Sequence, residues 1–352
     1  MYIVDDLHQI NSAFFKLLEA TYFNEALTRY TRATIDLIDF VIAKHDELDE
    51  NEVRFVHGHA WQVLQYLAGS TSKEVPYEVV YALEFALVDW GLEGALITTA
   101  LADRQDFHFS PAVTWDRLAK IDPRIPIPDD RRPLVQIAIP KLYKQRPLKS
   151  VALYHELGHY VDASHSVSER CYFRTVPDAV KLLRESPEVA RQIHHHMMEH
   201  FADAFAACYC GEAMAGTLEA IAKGHSASPT HPATKDRVEC IRDFLSGAQV
   251  GQISVFNAVL TDLGLPLLRK RFADIDVAKS FDLIRPIRLE GPEELHGVFS
   301  SGWQYLQKIV ENPSHHWQDL SKFERSRLVN DLVEKSIRNM QISTGWLNAT
   351  TQ

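Results

Sequence analysis

The stretch Tyr154-His155-Glu156-Leu157-Gly158-His159-Tyr160 constrains this 352-residue chain more than any other. It contains His-Glu-x-x-His. The flanking run from about Leu148 to Ala163 reads as a helix, with Val151, Leu153, Tyr154 and Leu157 giving apolar spacing on one side. Residues four apart on a helix share a face, so His155 and His159 lie one turn apart and can hold one zinc ion between them. Glu156 then sits beside the metal without binding it, placed to take a proton from a water held there. A pentapeptide with two free positions also arises by chance, as a helix carrying two surface histidines. The rest of the chain must therefore supply what a catalytic zinc still needs, a third protein ligand beside one open position.

Two residues are candidates for that ligand. Glu199 lies in Glu199-His200-Phe201-Ala202-Asp203, within a helical segment from about Glu188 to Gly211. Its carboxylate would complete a His2Glu set. Asp203, one turn later on the same face, can accept the other ring N–H of a ligand histidine and fix its tautomer. The alternative is His165, which has the spacing of the metzincin pattern. That pattern carries glycine where this chain has Asp162, and glycine is what lets the backbone turn a third histidine towards the metal. Glu199 is favoured on that ground. His194, His195 and His196 are adjacent and point in different directions on a helix, so they read as a solvated or partly packed run. A loop, Gly224 to His231, leads to Pro232 at the expected start of a helix with Val238, Ile241 and Leu245 as its stripe.

Three blocks, His155-Glu156-x-x-His159, Glu199-x-x-Ala202-Asp203 and His231-Pro232-x-x-x-x-Arg237, stand in that order. Together they resemble the gluzincin metallopeptidases, in particular the branch of the CaaX prenyl protease and the bacterial heat-shock membrane peptidases. The resemblance covers roughly residues 133 to 245. It implies zinc on His155, His159 and Glu199, Glu156 as catalytic base, Asp203 behind the ligands, and His231 and Arg237 near the active site. His231, in a loop before a helix, is a candidate hydrogen-bond donor to an oxyanion, with a structural cap as the plain alternative. Arg237 suits a carboxylate of the metal-site shell better than a substrate. Members of that branch are usually membrane-embedded, whereas the most apolar window here, Val79 to Leu101, is interrupted by Glu84, Asp89 and Glu93 and reads as a buried helix. Their substrates are therefore not carried over.

The net charge of -10 disfavours a nucleic-acid or anionic-membrane partner. Cys171, Cys208, Cys210 and Cys240 are too few for a disulfide scaffold and read as reduced thiols of a cytoplasmic protein, and the N-terminus lacks the pattern of a signal peptide. Residues up to about 118 read as helical, including a long apolar run from Tyr77 to Ala102, and give no catalytic signal. His57 and His59 there read as structural. Prolines 123, 126 and 128 suit an extended linker. Val135, Ile137 and Ile139 share one face of a strand, and Pro133 and Pro140 at its ends suit an edge, open to an extended peptide or simply an ordinary sheet strand. Ser321-x-x-Glu324 is a capping box for a last helix to about Met340.

The expected fold is α+β and predominantly helical. A helical N-terminal region (1–120) and a helical C-terminal region (251–352) flank a zincin-like metallopeptidase core (121–250) with a small sheet beside the His155–His159 helix. The expected function is zinc-dependent hydrolysis of a protein or peptide substrate, with the helical flanks gating the cleft or holding a protein partner. A regulatory protein on a peptidase-like scaffold and a zinc hydrolase of a non-peptide amide are the alternatives. The intact Glu156 argues against the first of these, and sequence does not separate the second.

Overall fold

A computed structural model of the chain describes residues 2–74, 78–103, 106–248, 251–313 and 316–350, apart from the side chains of residues 79 and 347–350. The fold is α+β and mainly helical, with one small mixed sheet. The chain divides into two compact units, residues 1–80 with 91–144, and residues 81–90 with 145–352. The proline-rich segment 121–130 lies inside the first unit, where Ile125 is buried in the core. Residue 250 lies outside the described residues.

The first unit begins with α1 (Tyr2–Leu17), α2 (Ala26–Lys44) and α3 (Glu50–Gly69), whose apolar stripes pack into one core. Asp49 and Glu52 cap α3 reciprocally, each side chain bonded to the other's backbone N–H. After α4 (Glu78–Asp89), which runs on into the second unit, come β1 (Leu96–Ala102), β2 (His108–Pro111), α5 (Trp115–Ala119) and β3 (Leu134–Pro140). The long helix expected from Tyr77 to Ala102 is therefore a helix followed by a strand, and Tyr77 lies outside the described residues. Gly91, at φ +67°, turns the chain, and Ile97-Thr98-Thr99 brings in three β-branched residues that favour an extended backbone.

The sheet order is β1-β3-β2, with β3 parallel to β1 and antiparallel to β2. The edge position expected for β3 is thus corrected. It is the central strand, buried along its whole length, with β1 on one side and β2 paired to Val135–Ala138 on the other. Pro133 and Pro140 bracket the strand rather than interrupt it, so they cost no ladder bond in its middle. All three strands belong to the first unit.

The second unit carries α6 (Val151–His165), α7 (Val167–Thr175), α8 (Ala179–Glu185), α9 (Pro187–Cys210), α10 (Glu212–Ile221), α11 (Thr234–Leu245), α12 (Gly251–Asp262), α13 (Ala278–Asp282), α14 (Pro292–Glu311) and α15 (Lys322–Thr350). The Ser321–Glu324 capping box is formed, and α15 runs about ten residues beyond the expected Met340. Helix α11 starts at Thr234, two residues after Pro232, because the Thr234 amide donates to the His225 carbonyl and its hydroxyl to the Ala222 carbonyl, closing the loop first. Its core is built on α6 against α9. Gly158 meets Ala202 so closely that a Cβ on Gly158 would stand 2.8 Å from the Ala202 Cα. Two small residues let the backbones approach, and Trp90, Tyr154, Phe201, Phe205 and Tyr209 fill the space around them. Among the described residues, no helix is long and apolar enough to cross a membrane.

Candidate metal centre

Helix α6 presents His155, Glu156 and His159, and helix α9 presents Glu199 and Asp203. The Gly158–Ala202 contact holds the two helices at the distance the site needs. His155 Nε2 and His159 Nε2 are 3.1 Å apart. Glu199 Oε2 lies 3.4 Å from His155 Nε2, and Glu199 Oε1 lies 3.4 Å from His159 Nε2. Ligands held tetrahedrally at about 2.0–2.1 Å from an ion are separated by about 3.3 Å. The three separations are close to that figure, the two from Glu199 being to different oxygens of its carboxylate. Two nitrogens and a carboxylate brought to one buried point repel one another unless a cation or a proton lies between them, and this donor set suits a metal ion.

Around the group the charges are paired in a second layer. His155 Nδ1 stands 2.9 Å from Asp203 Oδ1. Asp203 is fully buried and accepts two hydrogen bonds from Arg237 of α11, from Nε at 2.7 Å and Nη2 at 2.8 Å. Arg237 Nη2 also lies 3.1 Å from Glu199 Oε2. Burial alone would lower the His155 imidazole, but the Asp203 and Glu199 carboxylates outweigh it and raise it well above its ordinary range. Burial would likewise raise both carboxyls. The two histidines, with Arg237, hold Glu199 far below the carboxylate range, and Arg237 and His155 do the same for Asp203. Arg237 feels the charges of Asp203, Glu199 and Glu156, so Glu156 shares the field of the site.

His231, from the loop between α10 and α11, joins the group with Nε2 3.6 Å from Glu199 Oε1 and an exposed side chain. His165 lies outside it. Helix α6 stays helical through His165, and the left-handed turn comes only at Ser166, φ +53°. Asp162, at the metzincin glycine position, instead accepts from the Ser168 amide at 2.7 Å and the Ser168 hydroxyl at 2.5 Å, pinning the start of α7. The structure also gives His194 and His196 partners that the sequence did not suggest: the Ser168 hydroxyl at 3.2 Å and the Ser228 carbonyl oxygen at 2.8 Å.

Family models, curated proteins and solved structures were compared with this chain, and none matches.

Proposed function

We propose that this chain is a zinc-dependent peptidase resembling the gluzincins, with His155, His159 and Glu199 as ligands and Glu156 as general base. One observation carries the reading. Donor atoms of the right chemistry from His155, His159 and Glu199 all lie within 4.8 Å of one another, and the helix that supplies two of them carries a buried carboxylate, Glu156, next in sequence to a ligand. A structural site would instead close with a fourth protein ligand, often a cysteine, and Cys171, Cys208, Cys210 and Cys240 all lie outside the ligand group.

When bound, zinc lowers the pKa of a coordinated water towards about 7 and polarises the scissile carbonyl. Glu156 takes the proton of the attacking water and passes it to the departing amine. In this reading His231, whose Nε2 lies 3.6 Å from Glu199 Oε1, donates to the oxygen that gains charge during attack. Asp203 holds the outer nitrogen of His155 so that the inner one keeps its lone pair towards the ion. Arg237 balances the two buried carboxylates and joins α11 to α9.

The test is metal content together with cleavage of a mixed peptide library. Wild type should carry about one zinc per chain, as a His2Glu site requires. Glu199→Ala should lose it, His165→Ala should keep it, and Glu156→Gln should keep zinc while stopping cleavage. Zinc retained by Glu199→Ala would remove the ligand assignment. Zinc bound by a wild type that cuts no peptide would move a non-peptide amide or a partner-binding role ahead.

A further inference from the structure

His231 does not sit on a helix, yet its ring is held over one. The segment Ser228-Pro229-Thr230-His231-Pro232 closes on itself: the Ser228 amide donates to the His231 carbonyl at 2.8 Å, and the His231 amide donates to Ser228 Oγ at 3.0 Å. Two prolines fix φ within it. Thr230 Oγ1 lies 2.8 Å from His231 Nδ1, which sets the rotation of the ring. The closed loop is then tied to α9 by a hydrogen bond of its backbone, His196 Nε2 to the Ser228 carbonyl oxygen at 2.8 Å, beside the His231 Nε2 contact with Glu199 Oε1 at 3.6 Å. A carbonyl has no proton to give, so the His196 ring N–H is the donor. His196 lies three residues before Glu199, on the adjoining turn of the same helix.

We propose that His196 is a positioning residue of the metal centre. It mounts the His231 loop on the helix that supplies Glu199, so that a metal ligand and the donor facing it are carried by one rigid frame. Thr230 completes the arrangement by holding the His231 ring with Nε2 towards Glu199. This inference rests on the reading of His231 as the donor to the developing oxyanion. Freed from α9, the loop lets that donor move, and a misplacement of about 1 Å costs on the order of 100-fold in rate.

The experiment uses the full chain as wild type, His196→Phe, His196→Gln, His231→Ala and the His196→Phe/His231→Ala double variant. Three quantities are read: zinc content, kcat and KM on a peptide taken from the mixed library, and hydrogen exchange of the Ser228 and His231 amides. His196→Phe should keep its zinc and its KM and lose about 10- to 100-fold in kcat. Its two loop amides should exchange about five- to tenfold faster, the equivalent of one hydrogen bond. His196→Gln keeps an N–H donor at similar reach and should recover both. His231→Ala should be as slow as the double variant, because the anchor has nothing left to position. Unchanged amide exchange in His196→Phe, loss of its zinc, or losses that multiply in the double variant would each overturn the proposal. A wild type that binds zinc but cuts no peptide refutes the peptidase reading alone, and the two amides then decide the anchor by themselves.

Discussion

Gly158 and Gly58 form a controlled pair, since both lie inside helices and only one touches a neighbour. A Cβ built on Gly158 meets the Ala202 Cα at 2.8 Å and the Ala202 Cβ and carbonyl oxygen at 3.2 Å, whereas one on Gly58 meets nothing within 4 Å. Non-bonded carbons prefer about 3.5–4.0 Å, so Gly158→Ala is short by roughly 1 Å against backbone, which cannot rotate away. Each substitution gains the same helix propensity, about 0.8–1.0 kcal/mol. Only Gly158→Ala incurs overpacking, about 1–3 kcal/mol. Gly58→Ala should therefore stabilise the chain, and Gly158→Ala should fall below it by that second amount, ending between neutral and about 2 kcal/mol less stable than wild type. The consequence for function is larger. His155 and His159 flank Gly158, and Glu199 precedes Ala202 by three residues, so opening this contact separates the ligands directly. A site tolerates about 0.5 Å, and zinc affinity should drop at least about tenfold. Urea unfolding of the metal-free variants and zinc competition against a chelating dye measure the two effects. If Gly158→Ala is as stable as Gly58→Ala and binds zinc like wild type, the close approach of α6 and α9 is not what sets the ligand spacing.

Arg237→Met should cost about 3–5 kcal/mol in urea unfolding, since it leaves the fully buried Asp203 with His155 but without its guanidinium partner, and should weaken zinc binding about 10- to 100-fold. His59 is buried against Trp115, and among the described residues neither of its ring nitrogens has a hydrogen-bond partner. Burial lowers its pKa from 6.5 to about 4. Above pH 6.5 neither the folded nor the unfolded chain binds this proton, and stability is complete. Between about 6.5 and 4 only the unfolded chain binds it, so stability declines there by up to about 3 kcal/mol. His59→Phe loses no hydrogen bond and should remove that part of the decline, read as thermal unfolding at pH 8 and pH 5. An equal acid loss in both proteins would refute the assignment.

The ligand helix was legible in the sequence because its information is local. The spacing of His155 and His159 fixes a shared face, and Val151, Leu153, Tyr154 and Leu157 supply the apolar spacing that marks the run as a packed helix. Glu199 was legible at longer range only because Asp203 repeats the same one-turn logic on a second helix. The sheet was harder to read. The run from α4 into β1 is mostly apolar, so its composition does not separate strand from helix, leaving Gly91 and three β-branched residues as the signal. The central place of β3 follows from parallel pairing with β1 across an intervening excursion of the chain, which no local pattern records.

The histidine run shows most clearly where sequence reasoning stops short. Neighbouring residues on a helix point to different faces, and from that alone His194 to His196 could not act together as ligands. The same geometry gives each its own surroundings: His194 meets Ser168 at the start of α7, His195 stacks on His194, and His196 reaches the loop of His231. The direction of each side chain was deducible, but the partner was not, because Ser228 comes to α9 only through the turn at Gly224 and the loop that follows. A histidine excluded as a ligand is thus free to act one layer out, where a metal centre is held in register by groups that never touch the ion.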